Sequence, residues 1–180
     1  QRCGFYNRKV KPCFFTTKAF EGMKKSIKVD LIFKRNVTHE IPLKEIGRRF
    51  YHILRSLKVG GVLYLLDMCV LPKAEFKSVT WEKEDFIQFF SIKDIKVESD
   101  TNKSKSGIPL VVAIITKHSE EIPSEKALLE RAVELFKSKK LRIKKALELY
   151  EKSKHKEETT WYLFLKDQFV NIQRHLDEVK

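Results

Sequence analysis

Apolar residues along the chain fall into two kinds of run: short continuous blocks, and long stretches in which they recur every third or fourth position. Val29-Asp-Leu-Ile-Phe33 and Val62-Leu-Tyr-Leu-Leu66 are blocks of strand length, and Val10-Lys-Pro-Cys-Phe-Phe15 is a weaker example. Such blocks suit the strands of a parallel sheet. Between the two stronger blocks, Leu43, Ile46, Phe50, Ile53, Leu54 and Leu57 repeat on one helix face. Pro42 suits the first helical position, and Gly60-Gly61 predicts the stop. Strand, helix, glycine turn and strand make a βαβ crossover, which forces the two strands to be parallel. Residues 19–27 predict one or two helical turns ahead of it.

Further on, Thr80 predicts the cap of a helix running to about Phe90, packed through Trp81, Phe86, Phe89 and Phe90. Ile92 to Glu98 alternates as a half-exposed strand does, Asp100 to Gly107 reads as a polar loop, and Ile108 to Lys117 is the last strong strand. The short return between those two strands predicts an antiparallel hairpin. Beyond Ser119 the pattern turns helical. Pro123 and Ser124 open a stretch carrying Leu128, Leu129, Ala132, Leu135 and Phe136, resumed after a lysine-rich interruption by Leu141, Ala146, Leu147, Leu149 and Tyr150. A charged break at 152–158 precedes Thr160, a second cap candidate, and a helix whose Leu165, Phe169, Ile172 and Leu176 share one stripe. The division expected is an α/β domain over residues 1–118 and a helical extension over 119–180.

A chain of 180 residues with 42% hydrophobic and 11% aromatic content can build a core, which argues against disorder. No apolar run approaches the roughly 18–20 residues that span a bilayer. No signal-peptide pattern is present, and the chain begins with glutamine. The expectation is a cytoplasmic protein with no membrane partner, whose natural beginning lies upstream of Gln1. Cys3, Cys13 and Cys69 lack metal-site spacing and read as reduced structural thiols, so no metal is expected. Net charge is +13, and the first sixty residues hold 15 Lys and Arg against 4 Asp and Glu, leaving 22 against 20 elsewhere. Such a lobe fits either phosphate backbones, RNA above all, or lysine used for solubility.

The series as a whole resembles the second half of a class I S-adenosylmethionine-dependent methyltransferase. Val29-Asp-Leu-Ile-Phe-Lys-Arg-Asn-Val-Thr-His-Glu-Ile41 is similar to that family's fourth strand and following loop. Leu54-Arg-Ser-Leu-Lys-Val-Gly-Gly-Val-Leu-Tyr-Leu65 is similar to its "LKPGG.L" turn into strand five, with Val59 where proline is commoner. The hairpin at 92–117 corresponds to strands six and seven. The resemblance implies a Rossmann-like sheet with strands three to seven present and the first two absent. The family's glycine-rich cofactor loop and the acidic residue that grips the ribose have no counterpart, and no G-x-G occurs in the chain. Upstream residues, a second chain, or loss of the cofactor site would each account for this.

By position, the resemblance implies that Thr16, Thr17 and Lys18 lie beside the adenine of S-adenosylmethionine, and that Arg35, Asn36 and Val37 border its methionine end. His39 falls where the family's counterpart faces the acceptor. It reads either as a general base or as a histidine at the start of a helix bonded to backbone. Asp30 reads as structural, and His52 has no assigned role. Lys34-Arg-Asn-Val37 lacks the Asn/Asp-Pro-Pro-aromatic loop of the amino-methylating DNA enzymes. Pro12-Cys13 precedes the wrong strand for cytosine carbon methylation, and no Lys-Asp-Lys-Glu set for ribose methylation is evident. Three readings follow. One is a methyltransferase acting on RNA or a nucleic-acid-associated substrate. Another is a catalytically silent module that binds RNA through its basic region 1–60. The third is an assembly component whose helices 124–180 dock a protein partner, so that their removal abolishes association and spares ligand binding.

Overall fold

Two parallel strands and an antiparallel hairpin make the sheet of the computed structural model, which describes residues 28–71, 75–103, 107–153 and 160–180. The strand expected at 10–15, the turns at 19–27 and the sites at Thr16, Thr17 and Lys18 lie outside the described residues. In chain order the elements are β1 (Val29–Arg35), a 3₁₀ turn (Thr38–Glu40), α1 (Leu43–Ser56), β2 (Leu57–Met68), α2 (Lys83–Phe90), β3 (Ile95–Lys103), β4 (Pro109–Lys117), α3 (Glu125–Lys152) and α4 (Thr160–Asp177). Among the described residues the strands lie in the order β1-β2-β4-β3. β1 and β2 are parallel, as the crossover requires, and β4 runs antiparallel to both β2 and β3.

Several boundaries differ from the sequence reading, each for a physical reason. Helix α1 stops at Ser56 rather than at Gly60-Gly61. The glycines sit inside β2, where Val29 pairs with Leu57 and Leu31 with Val62, so β2 carries extra residues in a bulge. Gly60 takes φ +79 there, a left-handed conformation that glycine adopts without strain. Thr80 does not cap α2. Glu82 does, in a reciprocal box with Asp85, while the Thr80 amide and hydroxyl both donate to Gln168 Oε1. The stretch read as a polar loop from Asp100 continues β3 to Lys103, paired with Pro109. The lysine-rich segment does not interrupt α3, which is continuous for 28 residues from its Ser124 cap.

Along β2 and β4 alternate residues are buried. Leu63, Leu65, Val111, Ala113 and Ile115 belong to one core with Phe50 of α1, Trp81, Phe86, Phe89 and Phe90 of the α2 region, and Leu128, Ala132, Leu135 and Phe136 of α3. The aromatic rings pack at centroid separations of 4.8 to 6.2 Å, mostly tilted or edge-on. Gly47 lets α1 and α3 approach closely, because a Cβ there would lie 2.3 Å from the Glu125 carbonyl oxygen. The opposite side of β1 is apolar and open: Leu31 and Phe33 are 63% and 58% exposed, and Phe33 stacks on Tyr64.

Candidate functional site

In open α/β sheets, ligands bind outside the carboxyl ends of the parallel strands. Here those ends are Arg35 of β1 and Met68 of β2. The Asn36 amide donates to the Leu66 carbonyl at 2.8 Å, which keeps the emerging chain against β2. Asn36 then turns it with φ 51, a conformation that asparagine tolerates better than most residues. The chain enters the 3₁₀ turn through Val37, and Thr38 and His39 are delivered to the end of β2.

Asp67 waits there, only 1% exposed, on the same side of β2 as Leu63 and Leu65. Its carboxylate accepts from the amides of Thr38 (2.7 Å), His39 (3.2 Å) and Met68 (2.8 Å), and pairs with His39 Nδ1 at 2.5 Å. A buried carboxylate without such donors would be unstable; with them it fixes the imidazole's orientation and tautomer. Nδ1 carries the hydrogen towards Asp67, so in the neutral ring Nε2 presents its lone pair on the other side. Nε2 faces Glu40 Oε1 at 3.9 Å and Glu75 Oε2 at 3.8 Å. Those two carboxylates are 62% and 44% exposed, whereas the His39 side chain is 2% exposed. Burial opposes charging His39, but the Asp67 hydrogen bond and the charges of Asp67, Glu40 and Glu75 outweigh it, so its pKa lies above the ordinary histidine value.

Glu75 is held in turn. Its Oε2 accepts from the Ser78 hydroxyl at 3.1 Å, and its carbonyl accepts from the Ser78 amide and from Asn171 Nδ2 of α4. The Val79 amide donates to the His39 carbonyl at 3.0 Å, which closes this segment onto the turn.

Arg35, Asn36, Val37 and His39 thus lie together at one sheet edge, with Arg35 exposed and Val37 half-buried. Among the described residues the Oδ1 of Asn36, a buried acceptor, finds no hydrogen-bond donor. Asp30, read as structural, is an exposed partner of Lys58 at the amino end of β1. His52 is half-buried with its Nδ1 unpaired, and its Nε2 faces Glu125 at 3.9 Å. Cys69 is buried and free, and burial pushes its thiol up to about 11, so it is no nucleophile near neutrality. Sequence reasoning passed over Asp67 and Glu75. The signal for Asp67 was available: a carboxylate closing an otherwise apolar strand must find buried partners.

No protein-family model matches the chain, and no curated protein matches it. No helix among the described residues is long and apolar enough to cross a membrane.

Proposed function

We propose that the chain forms the acceptor-side half of an S-adenosylmethionine-dependent methyltransferase of the Rossmann-like class, acting on RNA or a nucleic-acid-associated substrate. The observation that carries this reading is the convergence of Asn36 and the His39–Asp67 pair at the carboxyl ends of β1 and β2. A parallel pair followed by a hairpin, with the second hairpin strand beside β2, agrees with the resemblance.

S-adenosylmethionine would supply the methyl group. The unpaired Asn36 carbonyl fits the methionine end, whose ammonium is a hydrogen-bond donor. His39, oriented by Asp67, is the group that would take a proton from an oxygen or nitrogen acceptor. Methyl transfer to a good nucleophile depends mostly on positioning, so one base suffices. The alternative is a silent methyltransferase-like module that binds RNA or a partner protein.

Calorimetric titration with S-adenosylhomocysteine separates them. Saturable micromolar binding, weakened about tenfold by Asn36→Gly, is the outcome expected for the enzyme half; a lost hydrogen bond of about 1.4 kcal/mol corresponds to that factor. Glycine accepts φ 51 freely, so this variant keeps the backbone while removing the carbonyl. A folded sample with no binding at millimolar ligand rejects the reading, and salt-sensitive RNA affinity would then support the silent module.

A further inference from the structure

We infer that His39, Glu40 and Glu75 form a site for a first-row divalent metal ion, Zn²⁺ or Mn²⁺ in class. One ligand atom from each residue falls in a group whose members all lie within 4.8 Å of one another. Nε2 of His39 stands 3.9 Å from Glu40 Oε1 and 3.8 Å from Glu75 Oε2. Around a tetrahedral ion with bonds of about 2.0–2.2 Å, ligand atoms sit roughly 3.4 Å apart. The two contacts to Nε2 need to contract by about half an ångström, and the glutamate oxygens, within 4.8 Å of each other, close in with them, Glu40 from an exposed side chain and Glu75 from one that the Ser78 hydroxyl already orients.

More than proximity supports the assignment. A metal-bound histidine characteristically donates its other ring hydrogen to a carboxylate, which fixes tautomer and orientation. Asp67 has that position against Nδ1, buried and bonded to three backbone amides, so the ring is aimed before any ion arrives. Charge points the same way. Asp67, Glu40 and Glu75 surround one imidazole, which can offer at most a single positive charge. A divalent cation there would balance this concentration of negative charge. One nitrogen and two carboxylate oxygens suit Zn²⁺ and Mn²⁺, and three protein ligands leave a position for water or substrate.

The inference goes beyond the methyl-transfer reading and does not need it. Bound metal would occupy the lone pair that a free His39 would use as a base, and a metal-bound water would then be the more acidic group at the site. Because the metal is titrated without any cofactor, failure of one proposal leaves the other standing.

The test is calorimetric titration of tag-free, EDTA-treated protein with ZnCl₂ and separately with MnCl₂. One ion per chain is expected, with affinity lowered at least about tenfold in Glu40→Gln and in Glu75→Gln. Both substitutions are at exposed side chains and leave the core intact, and circular dichroism verifies this. Asp67→Asn should weaken binding by about 10–100-fold through His39, but the glutamate variants decide. Failure of both ions to bind below about 1 mM would overturn the site. So would affinity unchanged in the Glu40→Gln/Glu75→Gln double variant, which would put the ion on other histidines.

Discussion

At the scale of single residues, burial sets the chemistry at the end of β2. Three amides and an imidazole meet the Asp67 carboxylate there. At Cys69, two residues on, burial comes first in raising the thiol to about 11, and Glu82, Asp67 and Asp85 add to it against the opposing pull of Lys139. The consequence for stability has a definite sign. In the unfolded chain the thiol ionises near its ordinary value of 9.0, while in the fold it stays protonated to about 11. Between those values the folded state binds more protons than the unfolded one, so stability falls as pH rises. Urea midpoints should drop from pH 9 to pH 11, with a loss approaching about 2 kcal/mol that Cys69→Ala removes. Below pH 9 the thiol should resist alkylation until denaturant is added. Equal loss in both proteins would show that other groups govern the alkaline limb. At this scale His39 was legible in the sequence, because it follows a strand-and-loop pattern with a recognisable form. Its partners were not. Asp67 is 28 residues away and Glu75 is 36, and only the parallel pairing of β1 with β2 brings them to one point.

Elements are fastened to one another by polar contacts as well as by the core, and Asp85 joins α2 to α3. It closes the amino end of α2 by accepting from the Glu82 amide at 2.9 Å. It also accepts from Lys139 of α3 at 2.6 Å and pairs with Arg142 one turn on. Asp85 is fully buried and Lys139 is 3% exposed, whereas the Arg142 side chain is 43% exposed. The two cations therefore differ in what they leave behind. Asp85→Ala strands the Lys139 ammonium with only Glu82 at 3.5 Å, and should cost about 3–5 kcal/mol. Arg142→Ala removes a solvent-screened pair and should cost less than about 1 kcal/mol. Comparable losses in urea unfolding would reject this division. The elements themselves were legible, since the aromatic group after Ser78 and the apolar face of α1 are strong periodic signals. Their ends were less so. Gly60-Gly61 has the composition of a helix stop but serves a bulge in β2, because Leu57 already enters the core as the strand's first residue. Thr80 has the composition of a cap, but its hydrogen bonds go to Gln168 of α4, a partner 88 residues away that no local pattern announces.

Across the whole molecule, the helices after Ser124 are continuous with the sheet in one core. Leu128, Ala132, Leu135 and Phe136 of α3 and Ile172 of α4 are all at most 1% exposed within it. Helix α4 also reaches the candidate site through polar residues. Gln168 Nε2 donates to the Ser78 carbonyl, Asn171 Nδ2 donates to the Glu75 and Ser78 carbonyls, and the His175 ring meets the Lys77 carbonyl at 2.7 Å. The apolar stripe of α4 was visible in the sequence; the polar residues between its members, which hold the Glu75 segment, were not. A chain ending at 123 would uncover the α3-facing sides of Phe50 and Gly47 and strip those carbonyls of their donors, each at a cost of about 1–3 kcal/mol. Losses of that order exhaust the 5–15 kcal/mol by which folded domains are stable. Deletion of residues 124–180 should therefore abolish cooperative melting and proton-spectrum dispersion, rather than detach a docking module from an intact sheet. A truncated chain that melts cooperatively and keeps metal affinity would show instead that the helices are an accessory. It would return them to the role of a partner-binding surface, for which Leu141, Leu149, Trp161 and Leu163, all at least 45% exposed, are the available contacts.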